Sequence, residues 1–116
     1  MASGAVVCIV DDDESVRESL TGLLRSIGLA PRPFASAEEF LTGWDRASTT
    51  CVILDVTMPG MSGAELQEHL LNLGEAPPIV FITARTEGTL RTRLLERGAI
   101  ACLVKPFAED ELLQAV

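Results

Sequence analysis

The sequence has 116 residues, of which 47% are hydrophobic, and it carries a formal net charge of −8. This length corresponds to one domain with enough apolar residues for a single core, which excludes a disordered or fibrous chain. The negative charge argues against a nucleic-acid-binding surface on this domain, because phosphate backbones attract lysine and arginine.

The N-terminal region lacks the basic segment and long apolar stretch of a signal peptide. No apolar run approaches the roughly 20 residues of a membrane span. The three cysteines, Cys8, Cys51 and Cys102, lie in apolar runs without Cys-x-x-Cys spacing. We therefore expect buried free thiols rather than a disulfide framework or a zinc site, and a cytoplasmic location.

Short apolar runs alternate with segments of helical periodicity along the whole chain. The apolar runs predict five strands, at residues 5–10, 29–34, 51–54, 78–82 and 100–104. The second run contains Pro31 and Pro33, and proline in a strand is tolerated mainly at a sheet edge. We therefore expect this strand to lie at or near an edge.

The segments between the apolar runs predict helices. The first follows the acidic residues 11–14, with Asp13 as its N-cap, and stops at Gly28. The second begins at Ser36 with Glu39 as the partner in a capping box. The others cover residues 64–73, 89–97 and the segment from 109 onward, where the chain ends within the helix. Apolar residues expected to face inward on these helices include Leu20, Leu24, Ile27, Leu66, Leu70, Leu73, Leu94 and Leu95.

Five alternations of strand and helix imply an α/β fold with a parallel sheet and helices on both faces. We expect residues 1–116 to form one domain of a longer protein, because the last predicted helix is unfinished at the end of the sequence.

Polar residues follow four of the five predicted strands. In open parallel sheets, ligands bind beyond the carboxyl ends of the strands. Asp11 and Asp12 follow the first strand, Asp55 the third, Thr83 the fourth and Lys105 the fifth. Three carboxylates, one hydroxyl and one ammonium group are therefore expected on one rim of the sheet.

Clustered carboxylates repel one another and require a compensating cation. A set of oxygen ligands favours Mg²⁺, which retains waters and often takes a phosphate as a further ligand. Lys105, the only lysine in the chain, can pair with a carboxylate and with a phosphoryl oxygen. Thr83 can donate a hydrogen bond to such an oxygen, and Ala84 is small and offers a backbone N–H.

Each of these residues also has a plainer interpretation taken alone. An aspartate before a helix is often a cap, and one after a strand is often a turn residue. An enzyme of the haloacid-dehalogenase type also combines an aspartate nucleophile, Mg²⁺, threonine and lysine, but it usually has a cap domain and would leave the Met-Pro loop at residues 57–63 unexplained. His69, the only histidine, is predicted on the surface, so no histidine-based nucleophile is available at the rim.

Four segments resemble the receiver domain of two-component response regulators. They are Val-Asp-Asp-Asp-Glu at 10–14, Leu-Asp-Val-Thr-Met-Pro-Gly-Met-Ser-Gly at 54–63, Ile-Thr-Ala at 82–84 and Val-Lys-Pro-Phe at 104–107. The resemblance covers essentially the whole chain. The segments 10–17 and 36–40 look most like FixJ-type transcriptional regulators.

The resemblance implies a doubly wound flavodoxin-like (CheY-like) fold with strand order 2-1-3-4-5. It implies that Asp55 accepts a phosphoryl group from a sensor histidine kinase, and that the domain catalyses only its own phosphorylation and dephosphorylation. Asp12 and Asp55 would bind Mg²⁺ directly, Asp11 through water and Thr57 through its carbonyl oxygen. Thr83, Ala84 and Lys105 would hold the phosphoryl oxygens, and the Lys105–Pro106 bond would be cis. A degenerate receiver that serves only as a binding module is disfavoured by the intact Asp12, Asp55, Thr83 and Lys105.

One position departs from the family pattern. Cys102 occupies the position, three residues before the lysine, where the family usually carries the Tyr or Phe that moves with the switch threonine. How the switch passes from Thr83 to the rest of the protein is therefore left open. The fourth helix carries Arg91, Arg93 and Arg97, which either form a solvated face or meet acidic groups on a second copy or on an output domain. We expect an output domain that binds DNA, and phosphorylation-dependent dimerisation through the fourth helix and fifth strand.

Overall fold

The computed structural model describes residues 5–74, 76–83, 88–105 and 109–116. Five strands alternate with five helices within these ranges. The strands are β1 (Val6–Val10), β2 (Ala30–Phe34), β3 (Thr49–Asp55), β4 (Ile79–Thr83) and β5 (Ala101–Val104). The helices are α1 (Glu14–Ser26), α2 (Ala37–Gly43), α3 (Gly63–Asn72), α4 (Gly88–Glu96) and α5 (Glu109–Ala115).

The strands form one parallel sheet in the order β2-β1-β3-β4-β5, which confirms the predicted fold class. β2, with its two prolines, lies at an edge as expected, where a missing N–H need not break a ladder. β1, β3 and β4 occupy the interior of the sheet. Because all strands are parallel, their carboxyl ends meet along one rim, and the residues that follow them are brought together there.

The core consists of two apolar layers, one on each face of the sheet. Alternate residues of β1 divide between them: Cys8 and Val10 pack into one layer, and Val7 and Ile9 into the other. The first layer is completed by α2, α3 and α4, and the second by α1 and α5. Burial on both faces explains why the strands read as continuous apolar runs rather than alternating ones.

Three residues predicted to face inward are exposed instead: Ile27 is 46% exposed, Leu73 55% and Leu95 37%. Ile27 and Leu73 are the C-caps of α1 and α3, one residue past the last turn. Leu95 follows the fully buried Leu94, and adjacent helical residues point about 100° apart, so both cannot face the sheet.

The N-caps of α1 and α2 follow the sequence prediction with one difference. Asp13 caps α1 by accepting from the backbone N–H groups of Ser15 and Val16. Ser36 caps α2 by accepting from Glu39 N–H, but the Glu39 carboxylate accepts from the N–H of Ala35 rather than closing the predicted capping box. None of the helices in the described ranges combines the length and the apolar character required to cross a bilayer.

Candidate phosphoryl-acceptor site

Strands β1, β3, β4 and β5 deliver polar residues to one rim of the sheet. Asp55 and Thr83 are the last residues of β3 and β4, while Asp11 and Lys105 directly follow β1 and β5. Asp11, Asp55 and Thr83 are all buried, with 0%, 6% and 3% of their surface exposed. Buried polar groups at strand ends are costly unless they have partners or a function, so this rim is the candidate site.

Asp11, Asp12 and Asp55 form an acidic cluster. One carboxylate oxygen from each residue lies within 4.8 Å of the other two, and Asp12 is exposed while Asp11 and Asp55 are buried. Oxygen ligands at this spacing, with one open side, are suited to a hard divalent cation that keeps part of its water shell. The structure therefore brings together the three carboxylates that the sequence assigned to a metal site.

Lys105 lies against the two buried carboxylates of the cluster. Its Nζ is 3.3 Å from Asp11 Oδ2 and 3.9 Å from Asp55 Oδ1. Its backbone N–H donates to the carbonyl oxygen of Thr83 at 2.7 Å, which joins the ends of β4 and β5. The ammonium group therefore partly compensates two negative charges and remains close enough to meet a group bound at Asp55.

The surroundings of Asp55 destabilise the charged form of its carboxyl group. Burial is the main cause that raises its pKa, from 3.8 to about 6, and the charge of Asp11 raises it further. Lys105 and the Thr57 N–H, which donates to Asp55 Oδ1 at 3.4 Å, lower the pKa. Asp55 is therefore ionised near neutral pH. A bound cation or a covalent bond that neutralises its charge would stabilise the site.

Asp11 is held by several contacts. Its N–H donates to Phe34 O at 3.2 Å, and its Oδ1 accepts from Asp13 N–H at 2.9 Å. Its carbonyl oxygen accepts from Arg17 Nη1 at 2.7 Å. The loop after β1 is therefore fixed on the sheet, on α1 and on Lys105 at once.

The loop after β3 depends on two residues, Gly63 and Glu38, that were not predicted to belong to the site. A Cβ atom on Gly63 would overlap the carbonyl oxygen of Asp55, so only glycine allows α3 to start here. Glu38 on α2 accepts from Met61 N–H at 3.3 Å and lies against Gly60, which has a φ of 75°. The glycine at the start of α3 was visible in the sequence, whereas the Glu38 contact spans 23 residues and left no local signal.

Of the other residues predicted for the site, Thr57 and Cys102 lie in the described part of the chain and Ala84 does not. The side chain of Thr57 is exposed, and its backbone faces Asp55 through the N–H described above. Cys102 is 3% exposed, pairs in register with Phe81, and burial raises the pKa of its thiol. All three cysteines are buried and free, as predicted, and His69 is exposed. Ala84 and the predicted cis bond at Lys105–Pro106 lie outside the described residues.

The sequence matches the response regulator receiver domain family over residues 7–116. The chain therefore belongs to this family, whose domains act as phosphoacceptors in two-component signalling. The fold and the convergence of the rim residues agree with this membership.

The curated relatives of the chain include a response regulator and a transcriptional regulatory protein. The chain is 44% identical over 112 residues to response regulator protein TodT of Pseudomonas putida, covering 97% of this chain and 49% of that protein. It is 36% identical over 116 residues to transcriptional regulatory protein FixJ of Azorhizobium caulinodans, covering 100% of this chain and 55% of that protein. The chain thus spans about half the length of these relatives.

Two solved structures share the fold of this chain. The response regulator StyR superposes with a TM-score of 0.91 at 46% identity, covering 99% of this chain and 58% of that one. The chemotaxis protein CheY4 of Vibrio cholerae superposes with a TM-score of 0.85 at 30% identity, covering 95% and 93% of the two chains.

Proposed function

We propose that residues 1–116 are the receiver domain of a longer transcriptional regulator, and that Asp55 accepts a phosphoryl group from a sensor histidine kinase. The observation that carries the proposal is the convergence of Asp11, Asp12, Asp55 and Lys105 at the carboxyl ends of three strands. No single one of these residues is diagnostic, but the set supplies a nucleophile, a cation site and a counter-charge.

Asp11, Asp12 and Asp55 would hold Mg²⁺, together with the backbone carbonyl of Thr57. The fit rests on the clustering of three carboxylates, and it is supported by the pKa of Asp55, which burial and then the charge of Asp11 raise. When bound, Mg²⁺ neutralises these carboxylates and the oxygens of the phosphoryl group. The exposed side of the cluster at Asp12 leaves space for waters and for the phosphoryl donor.

Asp55 acts as the nucleophile in this proposal. A carboxylate oxygen forms a bond to phosphorus as the bond from phosphorus to the imidazole nitrogen, or to the oxygen of an acyl phosphate, breaks. With a pKa of about 6, Asp55 is ionised at neutral pH and retains more basicity than an ordinary aspartate. The protein contributes mainly position and charge to such a transfer.

Lys105, Thr83 and the backbone N–H of Ala84 would hold the phosphoryl oxygens. Lys105 Nζ already lies within 3.9 Å of Asp55, so a small movement brings it to a phosphoryl oxygen on that residue. The domain would catalyse its own phosphorylation and dephosphorylation and no other reaction. Hydrolysis of the acyl phosphate at Asp55 would return the domain to its resting state.

The phosphorylated form would signal through the segment between Thr83 and α4. The added negative charge and acceptor oxygens favour a state in which the Thr83 hydroxyl is drawn toward Asp55. Cys102 has no aromatic ring that could move inward together with Thr83. We therefore infer that the signal passes through the position of α4 itself to a DNA-binding output domain in the cytoplasm.

Arg91 and Arg93 would supply a dimer interface on α4 and β5. Both residues are exposed on a protein of net charge −8, which favours pairing with acidic groups of a second copy. Arg97 differs from them, because its Nη1 already lies 3.7 Å from Glu68 Oε2 on α3 of the same chain. The proposal is therefore limited to Arg91 and Arg93, and charge reversal at both should abolish phosphorylation-dependent self-association.

Phosphorylation by acetyl phosphate tests the proposal. With Mg²⁺ present, the intact mass should rise by one phosphoryl group, and EDTA or Asp55→Asn should abolish the increase. Labelling that persisted in Asp55→Asn but vanished in Asp11→Asn would favour a dehalogenase-type mechanism. A protein that accepted no phosphoryl group from acetyl phosphate or from a kinase would be a binding module instead.

A further inference from the structure

Arg17 makes a short contact with the loop that carries the acidic cluster. It is the fourth residue of α1, and its guanidinium Nη1 donates to the carbonyl oxygen of Asp11 at 2.7 Å. This length is typical of a charge-assisted hydrogen bond. The side chain is half-buried, so the contact is partly shielded from water.

The carbonyl that Arg17 binds belongs to the peptide unit between Asp11 and Asp12. Because this unit is planar, fixing the direction of its C=O also fixes where the backbone enters Asp12. On the other side, Asp13 is held as the N-cap of α1, and its N–H donates to Asp11 Oδ1. The exposed Asp12 is therefore held between two residues whose backbones are anchored.

We propose that Arg17 is a positioning residue for the cation site: it sets the direction of the Asp11–Asp12 peptide and thereby aims the Asp12 carboxylate at the space between Asp11 and Asp55. The inference rests on the proposed Mg²⁺ site and adds a residue to it. Arg17 touches neither the cation nor the phosphoryl group in this proposal. Its effect is transmitted through one peptide bond.

Two physical effects of Arg17 on a bound cation have opposite signs. As a positive charge near the cluster, Arg17 repels Mg²⁺, so its removal alone should tighten binding. As a clamp on the peptide, it orders a ligand, so its removal should weaken binding. Groups that orient metal ligands typically change metal affinity by about tenfold or more. We therefore expect the orienting effect to dominate.

Magnesium titration calorimetry on the unphosphorylated protein separates the two effects. Arg17→Met keeps an apolar stem but loses the guanidinium, and its Kd for Mg²⁺ should rise about tenfold. Arg17→Lys keeps the charge but carries its donors on a single nitrogen, so its Kd should rise about threefold, which is half of the tenfold effect on a logarithmic scale. Arg25→Met is the matched control, since Arg25 lies exposed in the last turn of the same helix, and its Kd should be unchanged.

A second readout distinguishes positioning from a general loss of structure. In Arg17→Met, the Mg²⁺ concentration for half-maximal phosphorylation by acetyl phosphate should rise, while the rate at saturating Mg²⁺ returns to that of the unaltered protein. A rate that stays low at saturating Mg²⁺ would overturn the inference.

Two binding results would also contradict it. If Arg17→Met binds Mg²⁺ as tightly as Arg25→Met, or more tightly, then Arg17 acts on the cation only through its repelling charge. If Arg17→Met does not fold, an unchanged Kd in Arg17→Lys would overturn the inference. Failure of the unaltered protein to bind Mg²⁺ would overturn the proposed metal site itself, which is a different result from equal binding by the variants.

Discussion

Gly63 lies so close to Asp55 that a Cβ atom at Gly63 would overlap the carbonyl oxygen of Asp55. The N–H of Gly63 also donates to Val56 O at 2.9 Å, which closes the loop that follows β3. The neighbouring atoms are backbone atoms and cannot move aside as a side chain would. The identity of residue 63 therefore controls the backbone of residue 55.

Gly63→Ala is expected to destabilise the protein by about 3 kcal/mol or more, because a backbone overlap forces β3 and α3 apart. The loss should appear in urea unfolding, together with slower phosphorylation at Asp55. The matched control is Gly22→Ala on α1, where a Cβ would meet nothing within 4 Å. That change should stabilise the helix by about 0.5–1 kcal/mol. Equal effects of the two substitutions would contradict the close approach.

Asp55 predicts an unusual pH dependence of stability in protein freed of metal with EDTA. Its pKa is raised from 3.8 to about 6 on folding, so between these values the folded protein binds more protons than the unfolded chain. The free energy of unfolding contributed by this group therefore falls as pH rises from about 4 to about 6 and levels off above it. Asp55→Asn removes the cost, because its amide stays neutral at every pH.

Urea unfolding at several pH values checks this sign. Above pH 7, Asp55→Asn should be about 3 kcal/mol more stable than the unaltered protein, since the pKa of Asp55 is raised from 3.8 to about 6 and each pKa unit corresponds to about 1.36 kcal/mol. Below pH 4 the two proteins should be equally stable. A difference that stayed constant across this range would show that Asp55 titrates normally in the folded protein.

Lys105→Met should raise the pKa of Asp55 above its present value of about 6, because the lysine charge lowers that pKa. It should also slow phosphorylation by about tenfold or more, since an ammonium group aimed at developing charge is lost. Carbon-13 NMR of the Asp55 carboxyl group measures the pKa. Arg25→Met removes the same charge at an exposed site and should leave both quantities unchanged. An unaltered Asp55 pKa in Lys105→Met would argue against the ion pair.

Much of the site could be predicted from the sequence because parallel strands end on one rim. The apolar runs identified the strands, and the polar residues that follow four of the five runs were therefore placed at the site. Asp11, Asp55, Thr83 and Lys105 were all found in this way.

Other features depend on contacts that no local pattern encodes. The Arg17 side chain donates to the Asp11 carbonyl six residues away, and the Glu38 side chain accepts from Met61 N–H 23 residues away. Neither residue type nor its spacing marks such a bond in the sequence. The prediction that Ile27 and Leu73 face inward was wrong for a similar reason. Periodicity assigns a face to a helix but does not tell where the sheet beneath it ends.

Gln67 is buried in the layer between α3 and α4 with half of its amide satisfied. Its Nε2 donates to Leu94 O at 3.2 Å, while its Oε1 has no partner within the part of the chain that the structure describes. Leu94 O also accepts from Ala99 N–H at 3.2 Å, so it keeps a partner without Gln67. Gln67→Met should therefore stabilise the protein by about 1 kcal/mol, because an unpaired buried oxygen costs more than the lost bond contributes.

Thermal or urea unfolding measures the effect of Gln67→Met. Gln67→Glu is the contrasting variant, and it should destabilise the protein by several kcal/mol because it places a charge at a fully buried position. A destabilisation by Gln67→Met would indicate that the amide holds α4 in place more strongly than its single bond suggests.

The identity of the residue that carries the phosphoryl group tests the central claim most directly. An acyl phosphate is reduced by borohydride, which converts the phosphorylated aspartate to homoserine, and peptide mass spectrometry then locates the change. After treatment with acetyl phosphate and Mg²⁺, we expect homoserine at position 55 alone, and none in Asp55→Asn or in protein treated with EDTA. Homoserine at position 11 or 12, or a phosphoryl group that resists reduction because it sits on a hydroxyl, would contradict the assignment of Asp55.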